Sequence, residues 1–178
     1  MPLRYVPLDQ QGPDIALTQT LFESAFPVEE RPPFELVLKW DHHGFNGVYQ
    51  GEDFVGLVYF VEHKDLVYVF FLAIEEPYRN QGIGSRILSD VKARFAGKRV
   101  FLLAEEVGER YPDNALRMRR IGFYRRNGFL DSGLVITEYN VRYHVLTLGG
   151  VKVGFDEYYA LMEALMGEAR TKQALEFQ

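Results

Sequence analysis

Six residues, Arg79-Asn80-Gln81-Gly82-Ile83-Gly84, have the types and spacing to hold a phosphate. The first turn of a helix leaves backbone N–H groups without intrahelical acceptors, and the helix dipole adds partial positive charge there. Glycines at 82 and 84 remove the side chains that would keep a pyrophosphate away from those groups, and Arg79 adds a full charge. Paired glycines also suit a tight strand-to-helix turn with no ligand at all, and on the glycines alone that plainer reading leads. Other chemistries are excluded. With no cysteine in 178 residues there is no disulfide, thiolate nucleophile or Cys-ligated metal. A dinucleotide-binding G-x-G-x-x-G would need glycine at 87, where Ile87 stands, and the Gly-Lys-Ser/Thr of a P-loop is missing. His42 and His43 are adjacent on a turn with no carboxylate cluster, so they read as surface and no metal site is expected.

The elements that must position the turn are legible from hydrophobic period. Leu66 to Ile74 is an almost unbroken apolar run, long enough for a strand buried on both faces and far too short to cross a membrane. Glu75-Glu76-Pro77 stops it. Ile83, Ile87, Leu88, Val91 and Phe95 then form one stripe at helical spacing, ended by Gly97. Upstream, Leu3 to Leu8 reads as a short strand, Pro13 to Phe26 and Phe34 to about Trp40 as helices, and 45–50, 53–63 and 65–74 as an antiparallel meander. Downstream come a strand at Val100 to Ala104 and a loop from Glu105 to Asn114. A basic helix at Ala115 to Asn127 follows, then strands at Leu130 to Thr137 and Val141 to Leu148 joined near Tyr139-Asn140. Phe155 to Ala169 reads as an amphipathic helix packing its Phe155, Tyr159, Met162 and Leu165 side on the sheet, with a dimer contact as the alternative. A strand, helix and strand of this size imply a right-handed parallel crossover.

Arg79 to Gly84 matches the Arg/Gln-x-x-Gly-x-Gly/Ala signature of the GCN5-related N-acetyltransferases, directly after a buried strand as in that family. Phe123-Tyr124-Arg125-Arg126-Asn127-Gly128-Phe129 resembles the family's closing F-Y-x-x-x-G-F element. The resemblance runs from the first strand to about Leu148. It implies a single α/β domain over 1–178 with a mixed, mostly antiparallel sheet flanked by helices, whose parallel strands at about 66–74 and 100–104 splay apart. Acetyl-CoA would be the co-substrate. Its pantetheine arm would bind strand backbone around Leu72, Ala73 and Ile74, and its pyrophosphate the turn from Arg79 and Asn80 through the amides of Gln81, Gly82, Ile83, Gly84 and Ser85.

The reaction so implied is direct attack of a primary amine on the thioester. A protonated amine must lose a proton, the oxyanion needs a donor such as a strand N–H near Leu72, and the departing thiolate needs a proton. Tyr124, four residues before Gly128, falls where the family often places its acid; the plain alternative is a core tyrosine with a satisfied hydroxyl. Glu105 and Glu106 are the placed proton acceptors, unless they cap the strand or pair with Arg117, Arg119 or Arg120. Many small-molecule members carry Asn and Ala where Arg117 and Arg120 stand. The loop Pro27 to Pro33 falls where the family shapes its acceptor pocket, making Glu29, Glu30 and Arg31 candidate acceptor contacts or else solvated surface.

Composition suits that reading. A 47% hydrophobic chain of this length can bury one sizeable core, and a formal net charge of -5 speaks against nucleic acid and slightly for a cationic small molecule. No secretory leader precedes the first strand, so a cytoplasmic protein that binds neither nucleic acid nor membrane is expected. The competing reading is a non-catalytic acyl-CoA-binding or sensor module, against which only Tyr124 and the Glu105-Glu106 pair argue.

Overall fold

The computed structural model describes residues 1–8, 14–28, 31–40 and 44–175. It is α/β, with a seven-stranded mixed sheet in the order β1-β2-β3-β4-β5-β7-β6 and flanking helices. The strands are β1 (Leu3–Pro7), β2 (Phe45–Gln50), β3 (Asp53–His63), β4 (Leu66–Ile74), β5 (Arg99–Glu105), β6 (Phe129–Glu138) and β7 (Val141–Leu148). The helices are α1 (Asp14–Ala25), α2 (Phe34–Val37), α3 (Ile83–Arg94), α4 (Asn114–Arg126), α5 (Phe155–Met166) and α6 (Glu168–Leu175). Two compact units divide the chain. One holds Met1–Val61 and Val69–Ala96, the other Glu62–Tyr68 and Gly97–Gln178. No helix among the described residues is long and apolar enough to cross a membrane.

In the first unit the aromatic content becomes core. Phe22 of α1 meets Phe34 of α2 at 5.4 Å and Phe71 of β4 edge-on at 4.8 Å, while Phe45 and Tyr59 lie 5.0 Å apart. Gly56 in β3 permits a close approach to β4, since a Cβ there would stand 2.5 Å from the Ala73 carbonyl oxygen. The α3 stripe is buried as its period predicts, at Ile83, Ile87, Leu88, Val91 and Phe95. Tyr5 of β1 donates to Asp90 at 2.6 Å, and Arg86 binds the Met1 carbonyl, so α3 is fixed against the first strand. Leu17 departs from expectation, being 48% exposed on α1. The expected helix starting at Pro13 begins, within the described residues, at Asp14, and α2 ends at Val37 rather than Trp40.

In the second unit β4 and β5 run parallel in register only over Leu66–Tyr68 and Arg99–Phe101. β5 continues to Glu105, paired along its other edge with β7. Arg99 ties three elements by bonding Asp65, Glu157 and the Lys152 carbonyl. The β6–β7 hairpin turns at Tyr139 and Asn140, both at positive φ as a two-residue turn of this type demands.

Three expectations here need correction. The second parallel strand includes Glu105, expected in a loop. The terminal helix does not run to Ala169: Gly167 adopts φ +85 and separates α5 from α6. Finally, α5 buries Tyr158, Leu161 and Met162, whereas Phe155, Tyr159 and Leu165 are only half-buried. The cause lies at its start, where Glu157 accepts from the Gly154 N–H at 2.9 Å and pairs with Arg99 at 2.6 Å, fixing the helix rotation.

Candidate functional site

The first unit contains the turn expected from the sequence to hold a phosphate. After β4 a single 3-10 turn spans Glu76–Tyr78, closed by bonds from the Tyr78 and Arg79 N–H groups to the Glu75 and Glu76 carbonyls. Asn80 then takes φ +63 and Gly82 φ +79, two left-handed residues on either side of Gln81 before α3 begins. Gly82 is the N-cap, and no side chain caps the helix. The first intrahelical bond runs from the Arg86 N–H to the Gly82 carbonyl at 3.0 Å, which leaves Ile83, Gly84 and Ser85 with N–H groups that lack helical acceptors. The first turn carries no acidic residue. Gln81 donates to the Pro77 carbonyl at 2.8 Å and Arg79 Nε to the Ile74 carbonyl at 3.0 Å, so the turn is braced while the Arg79 side chain stays exposed. Leu72, Ala73 and Ile74 occupy the last positions of β4, half-buried except for the buried Ala73.

The second unit contains the ionisable residues. Tyr124 sits in the last turns of α4, half-buried, with ring centroids 5.3 Å from Phe123 and 6.4 Å from Phe129. Burial pushes its phenol up, opposed by the Arg120 charge and reinforced by that of Glu105. It therefore stays protonated at neutral pH, the form that can donate.

Glu105 and Glu106 are both held by arginines. Glu105, only 5% exposed, lies between Arg117 at 3.5 Å and Arg120, and among the described residues its Oε1 has no hydrogen-bond donor. Arg117 is itself buried, bonding Asp113 at 2.8 Å and the Glu106 carbonyl at 3.0 Å, with its guanidinium 4.1 Å from the Tyr111 ring centroid. Glu106 binds Tyr111, Arg110 and Arg142; the Tyr111 hydroxyl foremost, then the two arginines, hold its carboxyl below the usual range. A depressed carboxyl is a weak base. The arginines at 117 and 120 thus fasten α4 to the end of β5.

Of the acceptor-loop candidates, Arg31 turns inward, donating to the Phe26 carbonyl at 2.9 Å with its guanidinium 5.5 Å from the Phe22 ring. Glu29, Glu30, His42 and His43 lie outside the described residues. Among the described residues no group of three His, Cys, Asp or Glu is placed to hold a metal.

One ionisable group escaped the sequence reading. Glu138, the last residue of β6, accepts a hydrogen bond from the Tyr158 hydroxyl of α5. Burial raises its carboxyl from the ordinary 4.5 to about 7, against the opposing effect of that bond. The signals that could have found it were the 158, 161, 162 spacing on α5 and a glutamate just before a hairpin turn. Linkage gives the sign of its effect on stability. A carboxyl raised on folding favours the native state while protonated, so this contribution is lost as pH rises from about 4.5 to about 7. Glu138→Gln is expected to remove that fall, raising Tm above wild type at pH of about 8 and leaving the two nearly equal at about 4, as a thermal melt series would show.

The profile of the Acetyltransferase (GNAT) family matches residues 15–129. A GNAT-family protein of Bacteroides thetaiotaomicron has a similar structure, with a TM-score of 0.71 at 21% identity over 93% of this chain and 99% of its own. The ribosomal-protein-S18-alanine N-acetyltransferase of Escherichia coli superposes with a TM-score of 0.62 at 14% identity, over 87% and 98% of the two chains. An aminoglycoside 6'-N-acetyltransferase complexed with coenzyme A gives 0.62 at 13% identity, over 86% and 99%. At such identities the likeness is one of fold. Among proteins of curated function none matches the chain.

Proposed function

Since the chain belongs to the acetyltransferase (GNAT) family, we propose that it transfers the acetyl group of acetyl-CoA to a primary amine of a small cationic acceptor by direct attack. The observation that carries this reading is the uncapped, left-handed entry to α3, where Gly82 at φ +79 exposes the N–H groups of the first turn. These groups, from Gln81 to Ser85, bind the pyrophosphate with Arg79 beside them, and the backbone of Leu72, Ala73 and Ile74 binds the pantetheine arm. Tyr124 protonates the departing thiolate. Direct transfer is supported by the absence of any cysteine that could carry a thioester intermediate. A structurally similar aminoglycoside acetyltransferase is complexed with coenzyme A, which supports the choice of donor.

Calorimetric titration with acetyl-CoA and with CoA, followed by an amine panel with thiol-release detection, tests the proposal. Binding of both ligands and thiol release with an amine are the expected results. Binding without release from any amine would favour a sensor module, and no binding would end the reading.

A further inference from the structure

We propose that Glu138, rather than Glu105 or Glu106, is the carboxylate that receives the acceptor's ammonium group and takes its proton; this rests on the acetyl-transfer reading above. The first argument is charge. Glu105, Glu106 and Glu157 of the same unit each hold at least one arginine. Among the described residues no basic side chain pairs with Glu138, whose one hydrogen-bond partner is the Tyr158 hydroxyl. A carboxylate withdrawn from water without a cation is unfavourable, and a primary ammonium supplies the missing charge together with three donors.

The second argument is the company Glu138 keeps. Tyr158 donates to it, the Tyr68 hydroxyl of β4 is hydrogen-bonded with that of Tyr158, and Tyr143 of β7 acts on both tyrosines. Tyr124 of α4 acts on Tyr68 in turn. The acid proposed above and this base therefore both act electrostatically on Tyr68 within a single unit. The other groups nearby are Tyr139, next in sequence, and Arg170 of α6, which acts on Tyr139. The support is firm: Glu138 faces Val141 across the hairpin, and the Tyr139 N–H bonds the Ala174 carbonyl at 3.1 Å. Glu138 is half-buried rather than sealed, as are Tyr124 and Tyr143. Burial leaves its carboxyl near neutrality, where a general base works best.

The step balances. One ammonium proton passes to Glu138 and from there to water. The freed lone pair forms the C–N bond, the C–S bond breaks, and the second nitrogen proton reaches sulfur through Tyr124, giving the amide, CoA thiol and one released proton.

The test is kcat/KM against pH at saturating acetyl-CoA, with butylamine and diaminobutane as acceptors, for wild type, Glu138→Gln and Tyr158→Phe. Wild type is expected to lose activity below about 7 and to plateau above it. Glu138→Gln should lower kcat/KM near neutrality by roughly tenfold or more and replace the plateau with a continuous rise, because only the small free-amine fraction then reacts. Tyr158→Phe should keep the plateau and move its acid edge to higher pH, since it removes the bond that favours the ionised carboxylate. Acetyl-CoA affinity should be unchanged in both variants, a readout that separates chemistry from misfolding. A wild-type profile in Glu138→Gln, or an unmoved acid edge in Tyr158→Phe, overturns this inference alone. A wild type that binds acetyl-CoA and acetylates no amine overturns the transfer reading and this inference with it.

Discussion

Gly82→Asp is expected to weaken acetyl-CoA binding by about 100-fold or more without unfolding the protein. The site tolerates the substitution sterically, because a Cβ at position 82 meets nothing within 4 Å. Aspartate also tolerates the left-handed conformation at φ +79 better than most residues, at a cost of about 1 kcal/mol. What changes is charge. A carboxylate at the proposed pyrophosphate position sets two negative groups about 4 Å apart, which near a protein surface amounts to about 4 kcal/mol. Its oxygens would also accept the N–H groups at Gly84 and Ser85 as an N-cap does, occupying the donors assigned to the ligand in the proposal. Gly82→Ala is the control, carrying similar backbone strain and no charge. Calorimetry on both variants decides the matter. Loss confined to aspartate identifies the turn as the phosphate site, whereas unchanged affinity in Gly82→Asp places the phosphates elsewhere.

That turn was legible because its determinants are local. The apolar run to Ile74, the stop at Pro77, the glycine at 82 and the stripe from Ile83 to Phe95 lie within 30 consecutive residues, and each follows from period or backbone freedom. The hairpin at Tyr139-Asn140 is local in the same sense. Charge pairing is different. Glu105 meets Arg120 across 15 positions of sequence and Arg117 across 12, so an acid that looked available as a base is held by the very arginines that depart from the family pattern. The Tyr158–Glu138 bond spans 20 positions, and it depends on the rotation of α5, which Arg99 sets from yet another element. Leu17 shows the same limit from the apolar side: helical spacing put it on the stripe, and packing left it in solvent. Periodicity gives the face of an element to within a residue, while a catalytic contact requires that residue to be the right one.

Tyr124→Phe is expected to lower kcat by about 100-fold while leaving acetyl-CoA affinity nearly unchanged, the usual scale for removing a placed proton donor. The hydroxyl is the only atom lost, and Phe retains the ring contacts with Phe123 and Phe129 that seat the side chain. Stability should therefore stay within about 1 kcal/mol of wild type, since the substitution creates no cavity larger than an oxygen. Burial, with Glu105 adding to it, holds the phenol protonated well into alkaline solution even against the Arg120 charge. A donor kept neutral in this way is ready when the thiolate departs, and it can be recharged by the proton that the amine nitrogen sheds as the amide forms. Single-turnover thiol release is the decisive measurement, because product dissociation could mask the chemical step in steady state. A slow burst in Tyr124→Phe, restored when the leaving thiol is made more acidic in a thioester analogue, assigns the tyrosine to thiolate protonation. An unchanged burst returns it to α4 as an aromatic side chain packed against Phe123 and Phe129.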